Sequence, residues 1–281
     1  MYRRILVPLD GSALAEAAIP YALRLPSERV RLIMVKPTPN GERAAEGTPS
    51  TALVLAAGAL TTAGRSVETV VAHGDPAEEI VRAAADVDLI VMTSRGLGAG
   101  GRLVFGSVAD RVARHAPVPT LIVRTGDDPV DPTPCARIVV PLDGSETAER
   151  ALPVASELAL LTSSPIHCIA VAEVDGVNGS VTAALPAGVY DAGLEAALSL
   201  AEACVRAASS RLRSAGIQAS DEVRRGPVRS ELIAALRPGD LVVMTTHGHG
   251  RALRWTVGTV AERVLQRAPG PVLLVRADLS G

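Results

Sequence analysis

Aromatic side chains make up only 2% of this chain, one Trp, three Tyr and one Phe. Its core must therefore be built from Val, Leu, Ile and Ala, and recognition of single-stranded nucleic acid by base stacking is argued against. Lysine is scarcer still. Lys36 is the only one, so the lysine of a Walker-type phosphate loop is missing from every glycine-rich segment and a P-loop NTPase is excluded. The formal net charge is -2, which gives no sign of the broadly basic surface that counterion-release binding to nucleic acid needs, although a local basic patch is not excluded. The three cysteines, Cys135, Cys168 and Cys204, are odd in number and lack close paired spacing. That argues against a disulfide framework or a zinc site, and reduced thiols fit a cytoplasm. No run of about 18 apolar residues exists to span a membrane. The basic-then-apolar start, Met1 to Pro8, is too short in its apolar part for a signal peptide and reads as a strand.

What is present is present twice. Val-Pro-Leu-Asp-Gly-Ser occurs at 7–12 and again at 140–145. Val91-Met92-Thr93-Ser94-Arg95-Gly96 is followed after nine residues by Gly106-Ser107; Val243-Met244-Thr245-Thr246-His247-Gly248 is followed after nine by Gly258-Thr259. Residues 88–124 and 240–276 align without a gap and agree at about half their positions. The period is far longer than that of a solenoid repeat, so the chain divides into two complete domains, 1–125 and 137–281. The polar, proline-rich stretch between them, 126–136, reads as a linker.

Within the first repeat, apolar runs near 4–9, 30–35, 67–72, 88–93 and 119–124 alternate with helix-like stretches. The second repeats the plan near 137–142, 166–172, 219–225, 240–245 and 271–276. Val-rich runs of this length suit strands buried on both faces, so each domain is expected to be a doubly wound α/β unit with a five-stranded parallel sheet. Ser12 is placed to cap the first helix, with Leu14, Ala17, Ala18 and Tyr21 behind it; Pro76 opens a later helix and Ser107 caps another. Between Val171 and Gly226 the second repeat is sixteen residues longer than the first is between Val35 and Gly74. The excess, around 173–200 and rich in Gly, Ala and Ser, reads as a surface excursion or a lid.

Ligands of doubly wound sheets bind beyond the carboxyl ends of the strands, where strand order switches. Asp10 and Asp143 end the first strands and the glycine loops follow the fourth, so neighbouring first and fourth strands would put each Asp across a crevice from its own loop. A strand running through a glycine loop into a helix that opens on a hydroxyl residue is the architecture of a phosphate cradle.

On these motifs, and on Ala-Pro-Val-Pro-Thr-Leu-Ile-Val-Arg at 116–124, the chain resembles a tandem member of the universal stress protein family, in its ATP-binding branch. The resemblance covers about 3–125 and 137–277 and implies strand order 3-2-1-4-5 in each domain. It implies an adenine nucleotide, ATP, as ligand, with any magnesium held mostly by triphosphate oxygens and water. By position, Asp10 and Asp143 match the aspartate near ribose and adenine, and Val35 and Val171 the backbone contact to adenine. Gly74 and Gly226 match the glycine after the third strand. Gly96, Gly106 and Ser107, with Gly248, Gly258 and Thr259, match the phosphate loop. Both copies depart at its first glycine, where Thr93 and Thr245 stand. A threonine there could offer its hydroxyl to the ligand but does not take positive φ cheaply.

Arg95, Arg102, Arg251 and Arg254 could neutralise phosphate, though solvated loop arginines are the plainer reading. His247 and His249 lack a third ligand for a metal, while His73 and His115 read as structural surface residues. Three functions stay open: a nucleotide-binding stress-response regulator, an enzyme hydrolysing ATP or transferring an adenylyl group, and a non-binding pseudo-dimer. Neither glycine loop holds an acidic residue to position water, which sets hydrolysis behind regulation and leaves no residue assigned to catalysis. The fifth strands, apolar and at the domain edges, are expected to pair the repeats within the chain, with further dimerisation of chains.

Overall fold

A computed structural model describes residues 2–36, 51–94, 106–124, 135–173, 187–246 and 258–276. The first half runs β1 (Tyr2–Leu9), α1 (Ala13–Glu16), α2 (Ile19–Arg24), β2 (Ser27–Lys36), α3 (Thr51–Thr62), β3 (Ser66–His73), α4 (Pro76–Ala83), β4 (Leu89–Thr93), α5 (Ser107–His115) and β5 (Thr120–Val123). The second runs β6 (Arg137–Pro141), α6 (Glu146–Glu149), α7 (Ala151–Thr162), β7 (Ile166–Ala172), α8 (Ala187–Ser214), β8 (Ala219–Arg225), α9 (Val228–Ala235), β9 (Asp240–Thr245), α10 (Thr259–Arg267) and β10 (Val272–Val275). Of the expected linker, only Cys135 and Ala136 lie within the described residues. No helix among the described residues is long and apolar enough to cross a membrane.

The ten strands among the described residues form one sheet in the order β3-β2-β1-β4-β5-β10-β9-β6-β7-β8. Each half therefore has the order 3-2-1-4-5, parallel throughout, and the halves meet at an antiparallel seam where Val272 pairs with Ile122, Leu273 with Leu121 and Leu274 with Thr120. One apolar layer, under α1–α3 and α6–α8, contains Val7, Leu121, Val140 and Leu273; the other, under α4, α5, α9 and α10, contains Leu6, Ile122, Val139 and Val272. Neighbours along a strand alternate between layers, which is the period-two geometry of a sheet covered on both faces. Each layer is continuous across the seam.

The helices depart from the sequence expectation in two places. The first helix is broken into α1 and α2, and its counterpart into α6 and α7. Pro20 and Pro153 have no N–H to give the carbonyls of Glu16 and Glu149, so the ladder is interrupted at the same point in both halves. The buried stripe runs through Ala15, Ala18 and Ala22, which leaves Leu14 40% exposed. The second departure is the longer middle of the second half. Residues 187–200 are not an excursion but the first half of α8, whose Val205, Ala208 and Leu212 then bury against the sheet. The lid reading of 174–186 lies outside the described residues.

Candidate functional site

Strand β1 pairs with β4 through Ile5 with Leu89 and Leu6 with Ile90, and β6 pairs with β9 through Ile138 with Leu241 and Val139 with Val242. The first and fourth strands are thus neighbours in both halves. Asp10, Val35, Gly74, Thr93, Gly106 and Ser107 all fall at one carboxyl edge of parallel strands; Asp143, Val171, Gly226, Thr245, Gly258 and Thr259 fall at another. Because the seam is antiparallel, the two crevices open on opposite edges of the sheet.

Each aspartate is held by the chain that follows it. Asp10 Oδ1 accepts from Ser12 N–H at 2.9 Å and from the Ser12 hydroxyl at 2.6 Å, and Ser12 Oγ in turn accepts from Ala15 N–H at 3.1 Å. The second copy reproduces this at 3.0, 2.6 and 3.0 Å with Asp143, Ser145 and Ala148. The turn needs positive φ at its second residue, +85° at Gly11 and +78° at Gly144, which explains the Asp-Gly-Ser of the repeated motif. The carboxylates are exposed at the crevice mouth but fixed in direction. A fixed acceptor of this kind suits hydroxyl donors, such as those of a ribose.

The two ends of each glycine loop are tied together. Ser94 N–H donates to the Val123 carbonyl at 2.8 Å, and Gly106 N–H returns to the Ser94 carbonyl at 2.8 Å; Thr246 bonds Val275 at 3.0 Å and Gly258 bonds Thr246 at 2.8 Å. Gly96 and Gly248, with Arg95, Arg102, Arg251, Arg254, His247 and His249, lie outside the described residues. Ser107 does not cap α5 as expected. The N-cap is Gly106, Ser107 is the first helical residue, and α10 begins in the same way on Gly258; neither cap makes a side-chain hydrogen bond. A glycine cap has no side chain to offer, so these helix starts present first-turn N–H groups and the positive end of the dipole without a competing cap oxygen. That donor set fits a phosphate.

Thr93 and Thr245 carry no strain. They are buried at 6% and 5% exposure, paired with Val123 and Val275 as the last residues of their strands. Among the described residues, the one non-glycine with positive φ is Ser163. Gly74 and Gly226 do require glycine, at φ of +141° and +127°. Their N–H groups bond the Lys36 carbonyl at 3.0 Å and the Ala172 carbonyl at 3.1 Å, and at Gly74 a Cβ would meet Glu79 Oε1 at 3.0 Å. Val35 and Val171 are half-buried near the ends of their strands, opposite Ala72 and Arg224.

The two crevices are not identical. Behind Gly11 lies the Met34 methyl, 3.9 Å from where a Cβ would stand. The matching position of the second half is the small Ala170, and there Cys204 of α8 comes up against Gly144. Burial pushes the Cys204 thiol up, while the Gly144 N–H opposes that shift. Cys168, fully buried in β7, is pushed up to about 12 by burial. His73, expected at the surface, is half-buried, and its buried Nδ1 has no hydrogen-bond partner among the described residues; His115 is exposed, with Nδ1 2.8 Å from the Arg111 carbonyl.

A universal stress protein of Mycolicibacterium smegmatis is 27% identical over 291 residues, covering 97% of this chain and 96% of its own. One from Mycobacterium tuberculosis (H37Rv) is 29% identical over 218 residues, 75% of this chain and 69% of its own. The crystal structure of a universal stress protein from Archaeoglobus fulgidus has the same fold, with a TM-score of 0.68 over 98% of both chains at 21% identity. The universal stress protein family model matches twice, over residues 1–124 and 135–276, and with the 3-2-1-4-5 sheet repeated in each half it establishes that this chain is a tandem member of that family.

Proposed function

We propose that the chain is an ATP-binding regulatory protein of the stress response, with a nucleotide in each crevice. The observation that carries this reading is the pairing, in both halves, of a direction-fixed aspartate with a helix start capped only by glycine. In this reading Asp10 and Asp143 accept from ribose hydroxyls, the backbone at Val35 and Val171 meets adenine, and Gly74 and Gly226 leave room at the side. Thr93, Gly96, Gly106 and Ser107 hold the phosphates of one nucleotide, and Thr245, Gly248, Gly258 and Thr259 those of the other. Magnesium would arrive with the triphosphate. The chain's own groups bind and orient; the aspartates sit at the ribose end, away from where an attacking water would need a base. Occupancy, rather than turnover, is then the signal.

Titration calorimetry with ATP and magnesium on the wild type, Asp10→Ala and Asp143→Ala tests this. Two binding events are expected in the wild type and one in each variant. Absence of heat in the wild type would sink the proposal, and phosphate release well beyond one turnover per site, abolished by Asp10→Ala, would make the protein an enzyme instead.

A further inference from the structure

We infer that Arg124 and Arg276 are positioning residues that couple the two crevices. Each arginine directly follows the strand residue to which its own glycine loop is tied. Val123 holds Ser94, and Ser94 holds Gly106, the start of α5; Val275 holds Thr246, and Thr246 holds Gly258, the start of α10. Each arginine then reaches across the seam. Arg124 Nη1 donates to the carbonyl of Ala268, the C-cap of α10, and Arg276 Nη1 donates to the carbonyls of His115 at 3.2 Å and Ala116 at 3.3 Å, at the end of α5.

These contacts close a ring. It runs from the first loop along α5 to Arg276, through Val275 to the second loop, along α10 to Arg124, and through Val123 back to the first loop. The connecting members are stiff: each helix is nine residues long, each is packed into one apolar layer, and both clamps place a cation on orphan carbonyls at the negative end of a helix. An anion drawn to the first turn of α5 pulls on a rod whose far end is gripped beside the other loop. Linkage then requires the reverse effect to be equal.

The coupling of nucleotide sites rests on the proposed function, whereas the mechanical ring does not, and backbone amide exchange on the full chain separates the two. Without nucleotide, Arg276→Ala is expected to speed exchange at Gly106 and Asp110, at the far end of α5, about tenfold, with Arg276→Lys restoring most of the protection. A merely structural role would loosen Ala116 alone, and that result overturns the inference. With ATP and magnesium added to Asp10→Ala, leaving only the second crevice competent, exchange at Gly106 and Asp110 is expected to slow about fivefold or more. The effect should vanish when Arg124→Ala and Arg276→Ala are added, while the first turn of α10 stays protected. ATP protection confined to the second half would overturn the coupling and leave the proposed function standing. A spreading effect of Arg276→Ala with no response to ATP in any variant would sustain the ring and remove the nucleotide reading.

Discussion

His167 sits in β7 with Nδ1 2.9 Å from Ser220 Oγ and Nε2 3.0 Å from Glu222 Oε2. Both ring nitrogens are satisfied if the neutral imidazole donates from Nε2 to the carboxylate and accepts from the serine hydroxyl. Burial is the main force lowering its pKa; the Arg137 cation adds to it, while Glu222 and Asp240 oppose. The Glu222 carboxyl is itself raised by burial but more than offset by donors from Arg224 and His167, so it stays ionised. An unfolded imidazole titrates near 6.5. Between that value and the lower folded one the unfolded chain binds more protons, so stability rises with pH. The contribution is whole above about pH 6.5 and is lost as pH falls toward the folded pKa. Thermal unfolding of the wild type should therefore fall off more steeply from pH 7.5 to 5 than that of His167→Gln. Parallel curves would mean that the imidazole takes up its proton over the same pH range in the folded and unfolded states.

At the scale of the element, α1 and α6 are each a single turn, too short to persist without their caps. Ser12 and Ser145 cap the helix and brace the aspartate with the same hydroxyl. Ser12→Ala should cost about 1 kcal/mol in urea unfolding and weaken ATP at the first crevice while sparing the second; unchanged stability would show that the turn is held by Gly11 and the backbone alone. This local chemistry was legible in the sequence, because Asp-Gly-Ser names both the turn and its cap. So were the strands, placed within a few residues by their Val-rich runs. What the sequence hid were the features set by packing or by a missing hydrogen-bond donor. Pro20 and Pro153 broke helices whose apolar spacing looked continuous, and Ser107 looked like a cap until the tie from Gly106 to Ser94 made the glycine the last non-helical residue. Within the excursion expected around 173–200, residues 187–200 are helical because Ala, Leu and Glu, all strong helix formers, outweigh the small residues that suggest a loop. The arginine clamps could not be inferred from the motif that ends in Arg124, since the acceptor lies 144 residues away.

At the scale of the whole molecule, the described residues form one sheet between two apolar layers. The fifth strands of the two halves, four residues each, would be exposed edges if each half stood alone, and apolar edges invite pairing. Here each supplies the other's missing neighbour. Ile122 and Val272 face each other across that seam at 0% exposure, and a buried charge there costs several kcal/mol unless it is paired or hydrogen-bonded. The wild type should therefore unfold in one cooperative calorimetric transition, with calorimetric and van't Hoff enthalpies in agreement. Ile122→Asp should separate it into two transitions, since each half keeps its own four strand neighbours and its own helices, and only the shared edge is lost. It should also abolish any response of α5 to nucleotide in the second crevice, because Arg124 and Arg276 reach across that same seam. A single transition in Ile122→Asp, shifted but undivided, would show that the halves are held together by contacts other than β5 and β10.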